Sequence, residues 1–216
     1  MKKLAVYLAV AVALGATNAQ AYTTGDMIIR AGVTTVAPDE SSSNVFIGGA
    51  DVGVGVNVDN NSQLGLNFAY FLSPNWAIEV LAATPFEHDI GLNTVGALGS
   101  TKHLPPTVSA NYHFLDGDSA FQPYVGLGIN YTIFFSEDFT AANQEAGFSD
   151  LELDDSVGLS AQIGFDYMLD DNWFVNASAR YIDISTEATF TNDGTAGTVD
   201  VDIDPFVYSL TVGYKF

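Results

Sequence analysis

The sequence predicts an all-β fold: an eight-stranded antiparallel transmembrane β-barrel with short periplasmic turns and four long extracellular loops. Three observations predict it. In the closing stretch Val207 to Phe216, taken with Phe206, every even position is apolar or aromatic (Phe206, Tyr208, Leu210, Val212, Tyr214, Phe216), with Ser209, Thr211, Gly213 and Lys215 between them. A period of two is that of a strand. One face is apolar throughout and edged by aromatics while the other is small or polar. This inverts a soluble barrel, so the apolar face meets lipid. Long and short connections also alternate strictly along the chain, as they do where one end of a membrane barrel carries tight turns and the other long loops.

Composition fits this class and excludes others. The chain begins Met1-Lys2-Lys3, runs apolar from Leu4 to Ala16 and reaches Ala19-Gln20-Ala21, the pattern of a secretory signal peptide over residues 1–21. Residues 22–216 then form the barrel. Six Lys and Arg stand against 26 Asp and Glu; without Lys2 and Lys3 four basic residues remain, a formal charge of −22. Arg30, Lys102, Arg180 and Lys215 cannot make a basic patch, which argues against nucleic acid. No cysteine is present, so there are no disulfides. Past the signal no run of eighteen apolar residues exists for a spanning helix, whereas a tilted strand of about ten residues crosses a bilayer.

The strands follow in order. Met27 to Val36 puts Met27, Ile29, Ala31 and Val33 on the lipid face and Arg30, Gly32 and Thr34 inside. Ala37 to Ser62 reads as a surface loop. Gln63 to Leu72 sends Leu64, Leu66, Phe68, Tyr70 and Leu72 outward and Phe71 inward. After the turn at Ser73-Pro74-Asn75, Trp76 to Ala83 points Glu79 and Leu81 inside. Pro85 to Pro106 is a second long connection. Thr107 to Phe114 carries Ser109, Asn111 and His113 inward and ends at Asp116-Gly117-Asp118. Phe121 to Phe135 has Gly126 and Gly128 inside, leaving room in a narrow barrel. Ser136 to Asp154 is the third loop. Ser156 to Met168 directs Gln162 and Asp166 inward and turns at Asp170-Asp171-Asn172. Trp173 to Ile184 follows with Arg180 and Ile182 inside, and Ser185 to Thr198 is the fourth loop. Aromatics at strand ends, among them Trp76, Tyr112, Trp173 and Tyr208, make two interfacial belts.

Several stretches go beyond a generic barrel: Met27-Ile-Ile-Arg-Ala-Gly32, Asn61-Ser-Gln-Leu-Gly-Leu66, Leu81-Ala-Ala-Thr-Pro-Phe86, His103-Leu-Pro-Pro-Thr107, Gln122-Pro-Tyr-Val-Gly-Leu-Gly-Ile-Asn-Tyr131, Glu145-Ala-Gly147 and Gly213-Tyr-Lys-Phe216. Together they resemble the OmpW family of eight-stranded outer-membrane proteins over essentially the whole mature chain. The resemblance implies a narrow barrel in the bacterial outer membrane whose lumen takes small hydrophobic compounds and passes them across the membrane or sideways into the bilayer. It also implies an alternative, a structural or receptor barrel whose loops are recognised by phage, bacteriocin or host. Tyr214 and the final Phe216 resemble the sorting signal presented to the barrel-assembly machinery.

The residues themselves add to this. If parity persists above the membrane, Phe134, Ile182, Ile184, Val199, Val201 and Ile203 face inward and Asp183, Asp200, Asp202 and Asp204 outward, giving an apolar mouth with an acidic exterior. An aqueous pore would show the reverse, and eight strands leave little room for one. The acidic strip would lie at headgroup level, where divalent cations bridge lipopolysaccharide. The ligand-lining residues expected are Leu81, Phe71, Phe134, Arg180, Ile182 and Val201, with Leu81 and Arg180 at the constriction. The resemblance implies an aromatic residue at this level in many members, so Arg180 departs from it and could pair with an inward acid, cap a polar end of a ligand or make the constriction polar. Arg30, Glu79, His113, Asp166 and Lys215 are expected to form a charged plug, since buried ions of both signs must pair.

No catalysis is expected. Ser109 and His113 lie four residues apart on one strand, about 13 Å, too far for a nucleophile and its base. His88 and His103 share a loop with Glu87 and Asp89, a set a metal could use, but loop histidines are ordinarily solvated. Neither a metal nor a cofactor is expected, and no polar seam on the lipid face suggests more than a monomer.

Overall fold

A computed structural model describes residues 22–92, 96–115 and 119–216. Eight long strands form the barrel: β1 (Met27–Ala37), β2 (Asn61–Ser73), β3 (Trp76–Ala83), β4 (Thr107–His113), β5 (Phe121–Phe139), β6 (Ser156–Met168), β7 (Trp173–Ile182) and β8 (Phe206–Lys215). Each pairs antiparallel with its neighbour in sequence, and β1 pairs with β8 to close the ring, Ile28 opposite Lys215 through Ala37 opposite Phe206. Closure leaves no unpaired edge, the condition for strands in lipid. Residues 1–21, expected to be a signal peptide, and 116–118, expected to form a turn, lie outside the described residues.

Alternation sets the two faces. On β6, Val157, Leu159 and Ile163 are exposed while Ser160, Gln162 and Asp166 are buried, and β8 exposes Phe206, Tyr208, Leu210 and Val212 while burying Val207 and Thr211. Aromatics of the outer wall pair at both of its ends. Trp76 meets Tyr112 and Trp173 meets Tyr214 near the short turns, with ring centroids 5.1 and 4.9 Å apart; Tyr181 meets Phe206 at 5.6 Å near the other end. Amphipathic rings at those two levels suit the membrane interfaces.

Eight strands enclose a bore just wide enough for side chains to fill. Gly126 on β5 is required by that crowding, because a Cβ there would fall 2.1 Å from Asn111 Oδ1 and 2.8 Å from Gln162 Nε2. Lower in the barrel, Tyr22, Ile28, Ala69, Phe71, Ala77, Met168 and Phe174 form an apolar cluster at the short-turn end. A separate, larger apolar cluster occupies the opposite end.

The structure corrects the reading of the four long connections as loops, for much of their length is strand. The first contains the short strands Ser41–Ser42, Phe46–Ile47, Ala50–Asp51 and Val56–Val58; the second is a hairpin, Phe86–Leu92 against Gly96–Leu104. β5 runs on to Phe139 and is followed by the helix Ala141–Glu145 and the strand Phe148–Leu153, and the fourth is the hairpin Ser185–Asn192 against Thr195–Asp202. Gly, Ser, Asn and Asp in these stretches imitate loop composition. Most of their apolar side chains lie on the inner face, and pairing with β5 and with one another completes the sheets. The barrel wall therefore extends well above the lipid-facing belt.

Candidate functional site

Three layers fill the interior above the lower apolar cluster. The first is charged. Glu79 on β3 accepts from Arg30 Nη1 at 2.8 Å through Oε2 and from Arg180 Nη2 at 2.6 Å through Oε1. Asp166 on β6 takes the other side of Arg30, with Nε at 3.1 Å and Nη2 at 2.7 Å, a bidentate pair that fixes the guanidinium plane. Gln162 and Asn111 complete the shell around Glu79. Gln162 accepts from Arg180 Nη2 at 2.6 Å and donates to Glu79 and to Asn111 Oδ1, and Asn111 Nδ2 donates to Glu79 at 3.2 Å. Arg30, Glu79, Asp166 and Arg180 are each at most 4% exposed, and two cations face two anions, so the layer is neutral as a whole. Tyr22 closes it from below, donating its hydroxyl to Asp166 Oδ2 at 2.6 Å while its ring stacks on Phe71 at 4.0 Å.

Above the ions comes a band of small uncharged polar groups. Asn130 Nδ2 donates to Thr107 Oγ1 at 3.0 Å, Thr132 Oγ1 donates to Asn130 Oδ1 at 2.7 Å, and Thr34 pairs with Ser209 at 2.9 Å.

The third layer is an apolar chamber of about 100 Å³ inside the extracellular extension. Phe134, Phe139, Phe190, Val199, Val201 and Ile203 are among its walls, drawn from β5, from the last hairpin and from the segment leading to β8. His88 and His103 stand in the same wall as a stacked pair, centroids 4.9 Å apart and planes within 10°, and Phe134 lies 5.8 Å beyond His103. These histidines were expected in a solvated loop. The Phe86–Leu92 and Gly96–Leu104 hairpin instead turns both rings inward and leaves Glu87 and Asp89 on its exposed face, because strand alternation separates neighbours that sequence adjacency had grouped.

The model of the OmpW family matches residues 23–216. The chain belongs to the OmpW family. Outer membrane protein W of Vibrio cholerae is 46% identical over 221 residues, which cover all of both chains. The crystal structure of the outer membrane protein OprG from Pseudomonas aeruginosa matches with a TM-score of 0.89 at 43% identity, over 91% of this chain and 98% of that one. A more distant relative, the dibenzothiophene metabolism operon protein PahQ of Pseudomonas aeruginosa, is 25% identical over 191 residues, 87% of each chain. This OmpW-family protein is thus an outer-membrane β-barrel, and its apolar strand faces lie against the bilayer.

Within the OmpW barrel the predicted site residues separate into groups. Phe134 and Val201 line the chamber, and Ile182 belongs to the apolar cluster around it. Phe71, expected on the ligand path, lies instead in the lower cluster beneath the ions, because the twist and stagger of the strands put inward residues of one parity at different heights. Leu81 is buried in the lumen but is part of neither apolar cluster among the described residues. Arg180, expected with Leu81 at a constriction, reaches Glu79 and Gln162 and joins the ionic layer. His113 is buried beside that layer through its rings, 5.1 Å from Tyr22 and 5.0 Å from Phe71. Lys215 is only half-buried, at the last register position opposite Ile28, with Asn172 bonded to its backbone, and so stands outside the buried ionic layer.

Burial in the chamber lowers the pKa of both histidines of the pair. Desolvation, with a smaller contribution from His88, brings His103 from 6.5 to about 3, and desolvation lowers His88 as well. A histidine whose folded pKa lies below its unfolded value takes up a proton on unfolding anywhere between the two. Its neutral packing therefore contributes fully above about pH 6.5 and is progressively lost as pH falls through that value. Amide exchange in the Phe86–Leu104 hairpin should accelerate relative to the barrel strands between pH 7 and pH 5. His103→Phe should remove most of that dependence, and exchange equally fast in the variant and the parent at pH 5 would contradict it.

Proposed function

We propose that this OmpW-family barrel takes small hydrophobic molecules into the apolar chamber at its extracellular mouth and passes them into or across the outer membrane. The chamber itself carries this reading. Its walls are almost wholly aliphatic and aromatic, the acidic side chains Asp183, Asp200 and Asp202 stay outside, and such a lining suits an apolar guest. The name of PahQ, a protein of a dibenzothiophene metabolism operon, supports a hydrophobic cargo. A route straight down is unfavourable. An apolar molecule would have to displace side chains that satisfy four buried charges, and each such ion costs several kcal/mol when it loses its partners.

A sideways exit suits the wall better. The ladder between β3 and β4 ends at Leu81 opposite Thr107, and the two residues before Thr107 are Pro105 and Pro106, which have no N–H to continue it. Expected in reconstituted liposomes is faster influx of an apolar fluorescent tracer than in protein-free ones. Ala188→Trp, which fills the chamber from the last hairpin, should cut the added rate several-fold. Influx no faster than through bare lipid would overturn the proposal.

A further inference from the structure

One wall of the chamber is not apolar. His88 is 2% exposed, and its Nε2 is buried without a hydrogen-bond partner among the described residues. Its other ring nitrogen is engaged: the strand Val56–Val58 pairs with Phe86–Leu92 and brings the backbone carbonyl of Asp59 against His88 Nδ1. A carbonyl accepts only, so Nδ1 carries the proton and Nε2 presents a lone pair. His103 stacked on the ring and the short Asp59 contact hold that lone pair in place. Two other polar side chains of the chamber are satisfied by carbonyls, since Thr186 donates to Asp154 O at 2.7 Å and Thr101 to Lys102 O at 3.4 Å. A buried acceptor left unmade is expensive, on the order of 1–3 kcal/mol, and an apolar site that contains one discriminates through it.

We infer that the chamber selects apolar molecules bearing one hydrogen-bond donor, a phenol, an indole or an aliphatic alcohol, whose O–H or N–H is accepted by His88 Nε2 while the rest of the molecule packs on Phe134, Phe190 and Val201. The inference rests on the chamber being a ligand site. At about 100 Å³ the chamber is smaller than the dry apolar cavity of about 150 Å³ that takes a benzene-sized molecule, so a single-ring probe must widen it on entry. Burial keeps His88 neutral, as the acceptor requires.

The test uses phenol and toluene, which are nearly isosteric, with the full barrel in lipid nanodiscs and its histidines labelled with nitrogen-15. Only three histidines are present, so the Nε2 signal of His88 is assignable by substitution. Phenol should move that resonance upfield, in the direction of a nitrogen accepting a hydrogen bond, and toluene should leave it in place. The ratio of phenol to toluene affinity should fall about tenfold in His88→Phe, the worth of one hydrogen bond to a buried acceptor, and His88→Gln, which keeps an acceptor, should recover part of it. If both compounds bind but the resonance does not respond, or the ratio is the same in His88→Phe, the inference is wrong and the chamber remains a ligand site. If neither binds, the ligand site fails and takes the inference with it. The parent spectrum alone decides the matter should a variant not fold.

Discussion

Glu79→Ala should lower the unfolding free energy of the barrel by about 3–5 kcal/mol, the cost of leaving a buried ion without its partner. Among the described residues Glu79 is the one carboxylate that touches both arginines, accepting from Arg30 at 2.8 Å and from Arg180 at 2.6 Å. Its removal affects them unequally. Arg30 keeps its bidentate pair with Asp166, whereas Arg180 retains only the amide oxygen of Gln162. The double variant Glu79→Leu with Arg180→Leu should therefore regain most of the loss, because an apolar pair needs no counterion. Urea unfolding in lipid vesicles measures both. A single variant as stable as the parent, or a double variant no better than the single, would show that the ionic layer does not hold the bore together.

The second large effect concerns closure. Gly32 sits where β1 meets β8, and a Cβ there would lie 2.3 Å from Leu210 O and 2.6 Å from Thr211 Cα. Both are backbone atoms of the partner strand, which a rotamer change cannot move aside. Gly32→Val should cost about 3 kcal/mol, the upper part of the range for overpacking, and most of the refolded protein should migrate as the open form in a gel that separates closed from unfolded barrels. Its neighbour Ala31 faces lipid, so Ala31→Val serves as the control and should close normally. Equal folded fractions for the two variants would remove the steric argument.

These two residues also mark what was legible in the chain. Gly32 and Glu79 were both assigned inward by counting parity from the apolar face, and that count placed all eight strands within a few residues of their observed ends. The lipid-facing rows are long and the signal is redundant: β6 alone repeats it six times between Val157 and Tyr167. The extension above the membrane carries a weaker signal. In Ser185–Asn192 only Thr186, Ala188 and Phe190 mark the inner face, and Glu187 and Thr189 between them look like loop. His88 and His103 were grouped with Glu87 and Asp89 by sequence nearness rather than recognised as a buried stacked pair, because the hairpin register that stacks them cannot be read from either strand alone. Phe71 was misplaced for a related reason. Parity says inside or outside, not how high.

The alternation of apolar and polar residues, read along one strand at a time, was enough to settle an all-β membrane barrel, its sidedness and the inward set that includes Arg30, Glu79, Asp166 and Arg180. It is a local property, repeated every two residues and independent of what lies opposite. Depth and partnership are set by the stagger between strands, which is a property of the closed ring. Only tertiary structure therefore decided that Arg180 reaches Glu79, that the ions divide an apolar floor from an apolar chamber, and that a buried histidine pair stands in the wall of that chamber.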